Sequence, residues 1–359
     1  MKLIGLCRYM PVTLGRKFGE ELMYVGVTKN LQEHGLIKQT VNRECYKLTG
    51  VGKGVLEEMG FSFAEDARTL SSGSRYTRRL LCAEINVLFH AAGIDVFAEN
   101  LRALKQSRRA YLPSLNLRAN GKAENPLAGA RFAGILRSGD TAFVVYYTDG
   151  ADGGLHRAFE GQVFEGLIAN IHDVKHTKII FTDKSLERLW TALSAPKDAS
   201  RLRDQSVTFA KAFEEFPNSV CLLERTRDGV TQAKIMGIEN YRARLAAYVC
   251  KDAPTVPREL SHCDGLPHGV PLIIAVDMDL KRIFAALAQA AAVGREPHIL
   301  CLDFQDKILR RFLSDNGTKR AQTMPIGVDT IQACFSEFNQ TEYANEPCQN
   351  TKGGYISVR

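Results

Sequence analysis

Residues 271–313 carry the pattern that most restricts how this chain can fold. PLIIAVD (271–277) is a short apolar run, residues 280–293 are Ala-rich with helical spacing, HILCLD (298–303) is a second apolar run, and residues 304–313 are again helix-like. Two buried strands joined by a helix through short loops run parallel with a right-handed crossover, because a right-twisted strand feeding a helix packs back onto its sheet only that way. The expected class is α/β (α+β overall).

The middle of the chain adds a second pattern. Residues 76–92 place Leu80, Leu81, Ile85, Leu88 and Phe89 on one helical face, with Arg78, Arg79 and Glu84 nearer the other. GIDVF (93–97) reads as a strand; residues 131–137 and 141–148 are β-rich and separated by Ser138-Gly139-Asp140, a hairpin signal. Residues 158–172 are helix-like, KIIFT (178–182) is a buried strand, and Asp183 is placed to cap the helix carrying Trp190. The order α-β-β-β-α-β is that of a restriction-endonuclease-like core. Such a nuclease needs an Asp near its second strand and Glu/Asp-x-Lys on its third, so that carboxylates hold Mg²⁺ and Lys orients the water. Here the first strand offers Arg131 and no carboxylate, the next has Val144-Val145-Tyr146, and Asp140 and Asp149 flank the hairpin in turns. The reading is a nuclease-like scaffold without its catalytic acids.

Charge is partitioned. Residues 1–122 hold 19 Lys/Arg against 11 Asp/Glu, and residues 123–359 hold 28 against 29, so the net +7 arises in the first third. A localised basic surplus is the footprint of a polyanion-binding module, since each neutralised phosphate releases condensed counterions. Within that third, a helix over residues 21–34 ends at Gly35, GLI starts a strand, YKLT (46–49) supplies its antiparallel partner, and Gly50-Val51-Gly52 leads into another helix. This is how a winged helix-turn-helix closes. Thr28, Lys29, Asn30 and Gln32 are the expected DNA-facing residues of the recognition helix, and Lys38, Arg43 and Lys47 those of the wing. GVGKG (50–54) lacks the spacing of a phosphate loop, and the wing accounts for it. Downstream, Arg75, Arg78, Arg79, Arg102, Lys105, Arg108, Arg109, Arg118 and Lys122 are interleaved with Tyr76 and Tyr111, a combination suited to phosphate contact and stacking.

Taken together, the GLI…YKLT…G wing, the basic SRYTRR segment, the ARFAGIL–TAFVVYYTDG hairpin and the late VDMDLKR…ILCLDFQ segment resemble the replication-relaxation proteins of Gram-positive plasmids and integrative conjugative elements. The resemblance covers roughly residues 20–335. It implies a winged-helix domain followed by an α/β domain, and a non-catalytic role on double-stranded DNA in plasmid replication initiation or conjugative processing. Implied partners are a relaxase, a replication initiator or conjugation proteins. Only about twenty residues precede the expected recognition helix, short for two earlier helices, and this departs from the family pattern.

Two alternatives stay open. In the first, the chain is a Mg²⁺-dependent phosphodiester-processing enzyme, a nuclease or Toprim-like protein. Asp277-Met278-Asp279 follows a buried strand, and Glu224 follows another, as paired carboxylates for a metal would. Against this, Asp279 is a good N-cap for the helix beginning at Leu280. In the second, it is a transcriptional repressor. No cofactor is expected outside the enzyme alternative, and the oligomeric state is open, a dimer included.

The expected division is a winged-helix domain over 1–62, a linker over 63–74, a nuclease-like domain over 75–335 with a break near 196–205, and a tail over 336–359. No apolar run is long enough to cross a bilayer, and residues 283–293, the longest, cover about half a span. The N-terminus lacks a secretory signal, and nine scattered cysteines without a C-x-x-C pair suit reduced thiols; the expected location is the cytoplasm.

Overall fold

The computed structural model describes residues 1–19, 21–61, 70, 72–118, 130–149, 154–156, 163, 171, 174–194, 206–216, 219–251, 255–318 and 321–339. Its architecture is mixed α/β. Most of the expected helix over 158–172, the break near 196–205, most of the expected linker and the tail beyond residue 339 lie outside the described residues.

The chain opens with α1 (Lys2–Cys7), β1 (Met10–Pro11), α2 (Leu14–Phe18), α3 (Glu21–Glu33), β2 (Ile37–Gln39), β3 (Cys45–Leu48) and α4 (Gly50–Glu58). The three strands form one antiparallel sheet in the order β1-β3-β2. Two short helices, α1 and α2, precede α3. Gly35 closes α3 with φ +66°, as a left-handed C-cap requires. Thr49 caps α4 by accepting from Gly52 N at 3.0 Å. A Cβ on Gly52 would lie 2.0 Å from the Leu36 carbonyl oxygen, so this glycine lets α4 pack directly on the strand's start.

The spine of the molecule is α5 (Gly73–Ala91). After α6 (Leu101–Gln106) come β4 (Arg109–Pro113), α7 (Ser114–Arg118), β5 (Phe132–Ser138), β6 (Thr141–Tyr147), β7 (Gly154–His156) and β8 (His176–Asp183). Then follow α8 (Leu186–Ser194), β9 (Ser206–Thr208), α9 (Phe209–Glu215), β10 (Val220–Glu224), α10 (Arg227–Met236) and α11 (Tyr241–Cys250). Five strands make a sheet in the order β10-β8-β6-β5-β4, antiparallel from β4 to β6 and parallel from β6 to β10. The GIDVF strand is a correction: Asp95 makes only an isolated bridge to Ala110, and the first strand of the meander is β4. Its sequence RAYLP is disguised by Arg109 and by Pro113, which an edge strand tolerates because its outer N–H groups need no ladder partner.

A second sheet, β11 (Leu272–Ile274), β12 (His298–Leu302) and β13 (Gln322–Ile326), is parallel throughout, as the crossover argument requires. Its helices are α12 (Leu280–Ala292), α13 (Asp306–Asp315) and α14 (Val328–Cys334). β13 escaped the sequence reading because it is a largely exposed edge strand interrupted by Pro325. Ile283 of α12 and Leu309 and Phe312 of α13 share one hydrophobic cluster with Ile179, Phe181 and Leu222 of the first sheet, so the two sheets are joined by a common core.

The N-terminal elements share a hydrophobic cluster with α5 and the first sheet. Ile4, Leu6, Leu14 and Phe18 bury against Leu81, Ile85 and Leu88 of α5, in the same cluster as Phe143, Val145, Ile180 and Leu223 of the sheet. Lys17 of α2 reaches Glu84 of α5 at 2.9 Å, and Glu84 in turn accepts from buried Arg225 Nε at 3.0 Å.

Candidate functional site

The exposed elements of the N-terminal unit include α3, the β2–β3 hairpin and α4. Tyr24, Thr28 and Leu31, at helical i, i+4, i+7 spacing, turn inward. The Tyr24 hydroxyl donates to the Pro11 carbonyl at 3.0 Å, fastening α3 to β1. Lys29, Asn30 and Gln32 are exposed, flanked by Val25 and Val27, each about half exposed. Thr28 is a correction: it is buried, and its hydroxyl donates to the Tyr24 carbonyl at 2.8 Å, so it presents nothing outward. Lys29 stands 3.9 Å from Glu33 in an exposed i,i+4 pair, too weak and too screened to withhold its charge from a polyanion.

On the hairpin, Lys38 and Lys47 face each other in register, Lys38 exposed and Lys47 half-buried. Two like charges directly opposite across a strand pair repel, so the protein carries this pair at a cost to its own stability. Arg43 stands exposed in the loop with φ +58°, and Val41 at the tip is fully exposed. The loop is braced from within: Thr40 Oγ1 donates to Asn42 Oδ1 at 2.6 Å, Asn42 Nδ2 donates to Glu44 at 2.6 Å, and the Tyr76 hydroxyl of α5 donates to Glu44 at 3.3 Å. Tyr76 is thus buried as a brace rather than exposed for stacking, and Tyr111 lies wholly in the core; both correct the expected aromatic role.

The basic stretch after the hairpin does not form one face. Arg75 is exposed, whereas Arg78 and Arg79 are half-buried and Arg78 hydrogen-bonds the Tyr147 hydroxyl. Arg108 pairs with Glu239 at 3.2 Å, and Arg109 donates to the Ala92 carbonyl at 2.9 Å. Arg118's side chain and Lys122 lie outside the described residues.

The acids of the enzyme alternative are divided by the fold. Asp277 and Asp279 are fully buried against the first sheet, where Lys178 Nζ of β8 stands 3.5 Å from Asp277 and 3.1 Å from Asp279. Tyr241 donates to Asp277 at 2.5 Å, and Arg242 lies 3.7 Å away. Burial would raise the Asp277 carboxyl, but Lys178, Arg242 and Arg282 outweigh it and hold the group well below the usual carboxylate range. Burial opposes the charge on Lys178 too, and the carboxylates of Asp277 and Asp279 reverse that, leaving it raised. The third group beside the pair is the Cys221 thiol, with ligand atoms mutually within 4.8 Å, and burial together with Asp277 pushes that thiol up. A protonated thiol and two carboxylates sharing one ammonium do not make the all-oxygen set Mg²⁺ demands.

Glu224 sits at the far end of β10, three residues beyond Cys221, or about 10 Å along a strand. It accepts from Leu186 N at 3.0 Å and from Thr226 Oγ1 at 2.6 Å, tying the starts of α8 and α10, and burial raises its carboxyl. Opposite Glu224 in register on β8, Asp183 accepts from Thr148 Oγ1 at 2.5 Å and from Arg188 Nε at 3.0 Å; the expected cap of α8 is a correction, since Ser185 Oγ accepts from Arg188 N at 3.3 Å there. Asp279 does cap α12, accepting from Arg282 N at 3.2 Å. The cap's share of the loss in Asp279→Ala is expected to be about 0.5–2 kcal/mol, and Asp279→Asn or Asp279→Ser should recover most of that share, as measured by denaturant unfolding.

Where a nuclease-like core would need acids, Val144, Val145 and Tyr146 are fully buried, Asp140 pairs with Lys175 at 2.7 Å in the hairpin turn, and Asp149 is exposed at φ +51°. Among the described residues no helix is long and apolar enough to cross a membrane, and none of the eight cysteines is in a disulfide. Compared with known proteins, the chain matches no family model, no curated protein and no solved structure, so its own side chains must carry the functional argument.

Proposed function

We propose that the chain is a duplex-DNA-binding protein that does not itself cut DNA, built as a winged helix-turn-helix mounted on a nuclease-like α/β scaffold. The observation that carries this reading is the juxtaposition of an exposed α3 with a braced hairpin whose Lys38 and Lys47 repel one another. A fold keeps such a pair at a cost that a polyanion relieves. The order α1-β1-α2-α3-β2-β3-α4 and the sheet order β1-β3-β2 support the winged-helix description. Asn30 and Gln32 can pair bidentately with adenine, and the methyls of Val25 and Val27 suit thymine's methyl group, so α3 is the base-reading element and the hairpin the phosphate-holding one. A role in replication initiation or conjugative processing on a mobile element, as in replication-relaxation proteins, is part of the proposal, as is assembly with a relaxase or initiator.

The enzyme alternative gains little from the geometry, because Asp277 and Asp279 are closed off from solvent and already neutralised. Incubation of the full chain with supercoiled plasmid and Mg²⁺ or Mn²⁺ separates the readings. The expected result is a retarded plasmid without nicks, alongside duplex binding whose affinity falls steeply with salt. Nicking that disappears in Asp277→Asn/Asp279→Asn would reverse the conclusion. For α3, Lys29→Ala is expected to weaken all duplexes about equally, whereas Asn30→Ala relaxes preference at one position at a cost of about 1–3 kcal/mol of discrimination.

A further inference from the structure

The tip of the β2–β3 hairpin runs against the chemistry of its own turn. Thr40, Val41, Asn42 and Arg43 form a four-residue turn, closed by Arg43 N donating to the Thr40 carbonyl at 2.8 Å. Arg43 then takes φ +58°, a left-handed conformation in which hairpins usually place glycine. Val41 holds the turn's second position, which proline favours and which asks for no apolar group. Residues that break local rules without a gain in packing concentrate where a chain meets its partners.

Val41 is fully exposed and Arg43 is exposed, so the core selects neither. A single apolar side chain at a surface is ordinary. This one differs in the rigidity of its mount. Cys45 N donates to Thr40 Oγ1 at 3.1 Å and Thr40 N to the Cys45 carbonyl at 2.8 Å. Asn42 Nδ2 and the Tyr76 hydroxyl both donate to Glu44, which ties the loop back to α5. The free protein thus already bears the conformational cost of holding Val41 outward, as preorganisation for a partner requires.

Charge and length indicate the partner. Lys38, Arg43 and Lys47 flank the tip, while Glu44 is turned back onto Asn42 and Tyr76. From Leu36 to Val41 the hairpin can span about 15 Å at about 3.3 Å per residue, against a major groove about 12 Å wide. A tip set beside α3 is therefore long enough to pass the groove wall and enter the flanking minor groove.

We propose that Val41 is a wedge: it enters the minor groove, parts a base step and kinks the duplex, while Lys38, Arg43 and Lys47 hold the phosphates on either side. This rests on the reading of the N-terminal unit as a duplex-DNA-binding module. Apolar side chains inserted from the minor groove unstack and kink DNA in this way, at a cost that is least where stacking is already weak.

The test uses the full chain and two labelled duplexes of about 24 base pairs, one perfectly paired and one with a single central T·T mismatch. In fluorescence anisotropy, wild type is expected to bind the mismatched duplex about 3–10-fold more tightly, because part of the unstacking is done beforehand. It should also accelerate ligase closure of a duplex of about 120 base pairs, which is shorter than one persistence length and rarely closes unaided. Val41→Ser should melt within about 2 °C of wild type, since the side chain packs on nothing, and should show neither the mismatch preference nor the gain in closure. Val41→Leu, still apolar and one methylene longer, should keep both. Equal affinity for the two duplexes, or binding without a gain in closure, would overturn the wedge and leave the DNA reading standing. Preference and closure undiminished in Val41→Ser would take the role away from Val41, and a much lower melting temperature in that variant would make the side chain structural. Binding of neither duplex by wild type would bring down the DNA reading and the wedge with it.

Discussion

Lys178→Met is expected to remove about 3–5 kcal/mol of stability, the largest loss from a single substitution that we predict. Lys178 is the one ammonium shared by the two buried carboxylates at 3.5 and 3.1 Å. Without it, Asp277 keeps Tyr241 and Arg242, while Asp279 is left with the Arg282 backbone N–H. Lys178→Met/Asp279→Asn should recover most of the loss, since Asn caps a helix as Asp does but brings no charge into the core. Urea unfolding of the four proteins in this cycle measures the coupling, and a single-variant loss below about 1 kcal/mol would show the network to be dispensable. The network also sets a pH window. Asp277 titrates lower in the folded protein than in the unfolded chain, so its contribution is present above about pH 4 and is lost as pH falls toward its folded value. Lys178 is raised on folding, so its contribution is present below about pH 10 and is lost as pH rises beyond that. Melting temperatures followed from pH 2 to 11 should fall at both ends, and the alkaline fall should shrink in Lys178→Met.

Lys38→Ala/Arg43→Ala/Lys47→Ala is expected to lower duplex affinity on the order of 10²-fold near physiological salt, and to reduce the slope of log K against log salt by about 3. The loss should be nearly the same for every DNA sequence, because phosphate contacts carry no base information. The same variant should melt slightly above wild type, since it removes the repulsion between Lys38 and Lys47. That opposition of effects distinguishes a binding face from a structural one. A variant that melted lower and lost affinity only in proportion to unfolding would count against the hairpin's assignment.

The elements were legible in the sequence wherever a local signal was strong. Gly35 and Gly52 announced the end of α3 and the close start of α4, the apolar runs announced β11 and β12, and Ser138-Gly139-Asp140 announced the β5–β6 hairpin. β4 and β13 were not legible, because Arg109 and two prolines hide strands that sit at sheet edges, where the ladder places few demands. Thr28 and Tyr76 were misjudged for a related reason. A polar or amphipathic side chain can turn inward when a neighbouring carbonyl or carboxylate accepts its proton, and spacing alone does not reveal that acceptor.

By itself, then, the sequence determined the α/β class, the parallel crossover, the cap at Asp279 and the basic character of the first third, because each depends on periodicity, turn chemistry or composition within a few tens of residues. Only the tertiary structure decided what those parts are joined to. It brought Lys178 to an acid pair about a hundred residues away and set Cys221, not Glu224, beside that pair. It also made α5 the shared core of what reads as two domains. These are long-range meetings of side chains, selected by the burial of apolar area and the pairing of buried charge over the whole chain, and no local pattern encodes them.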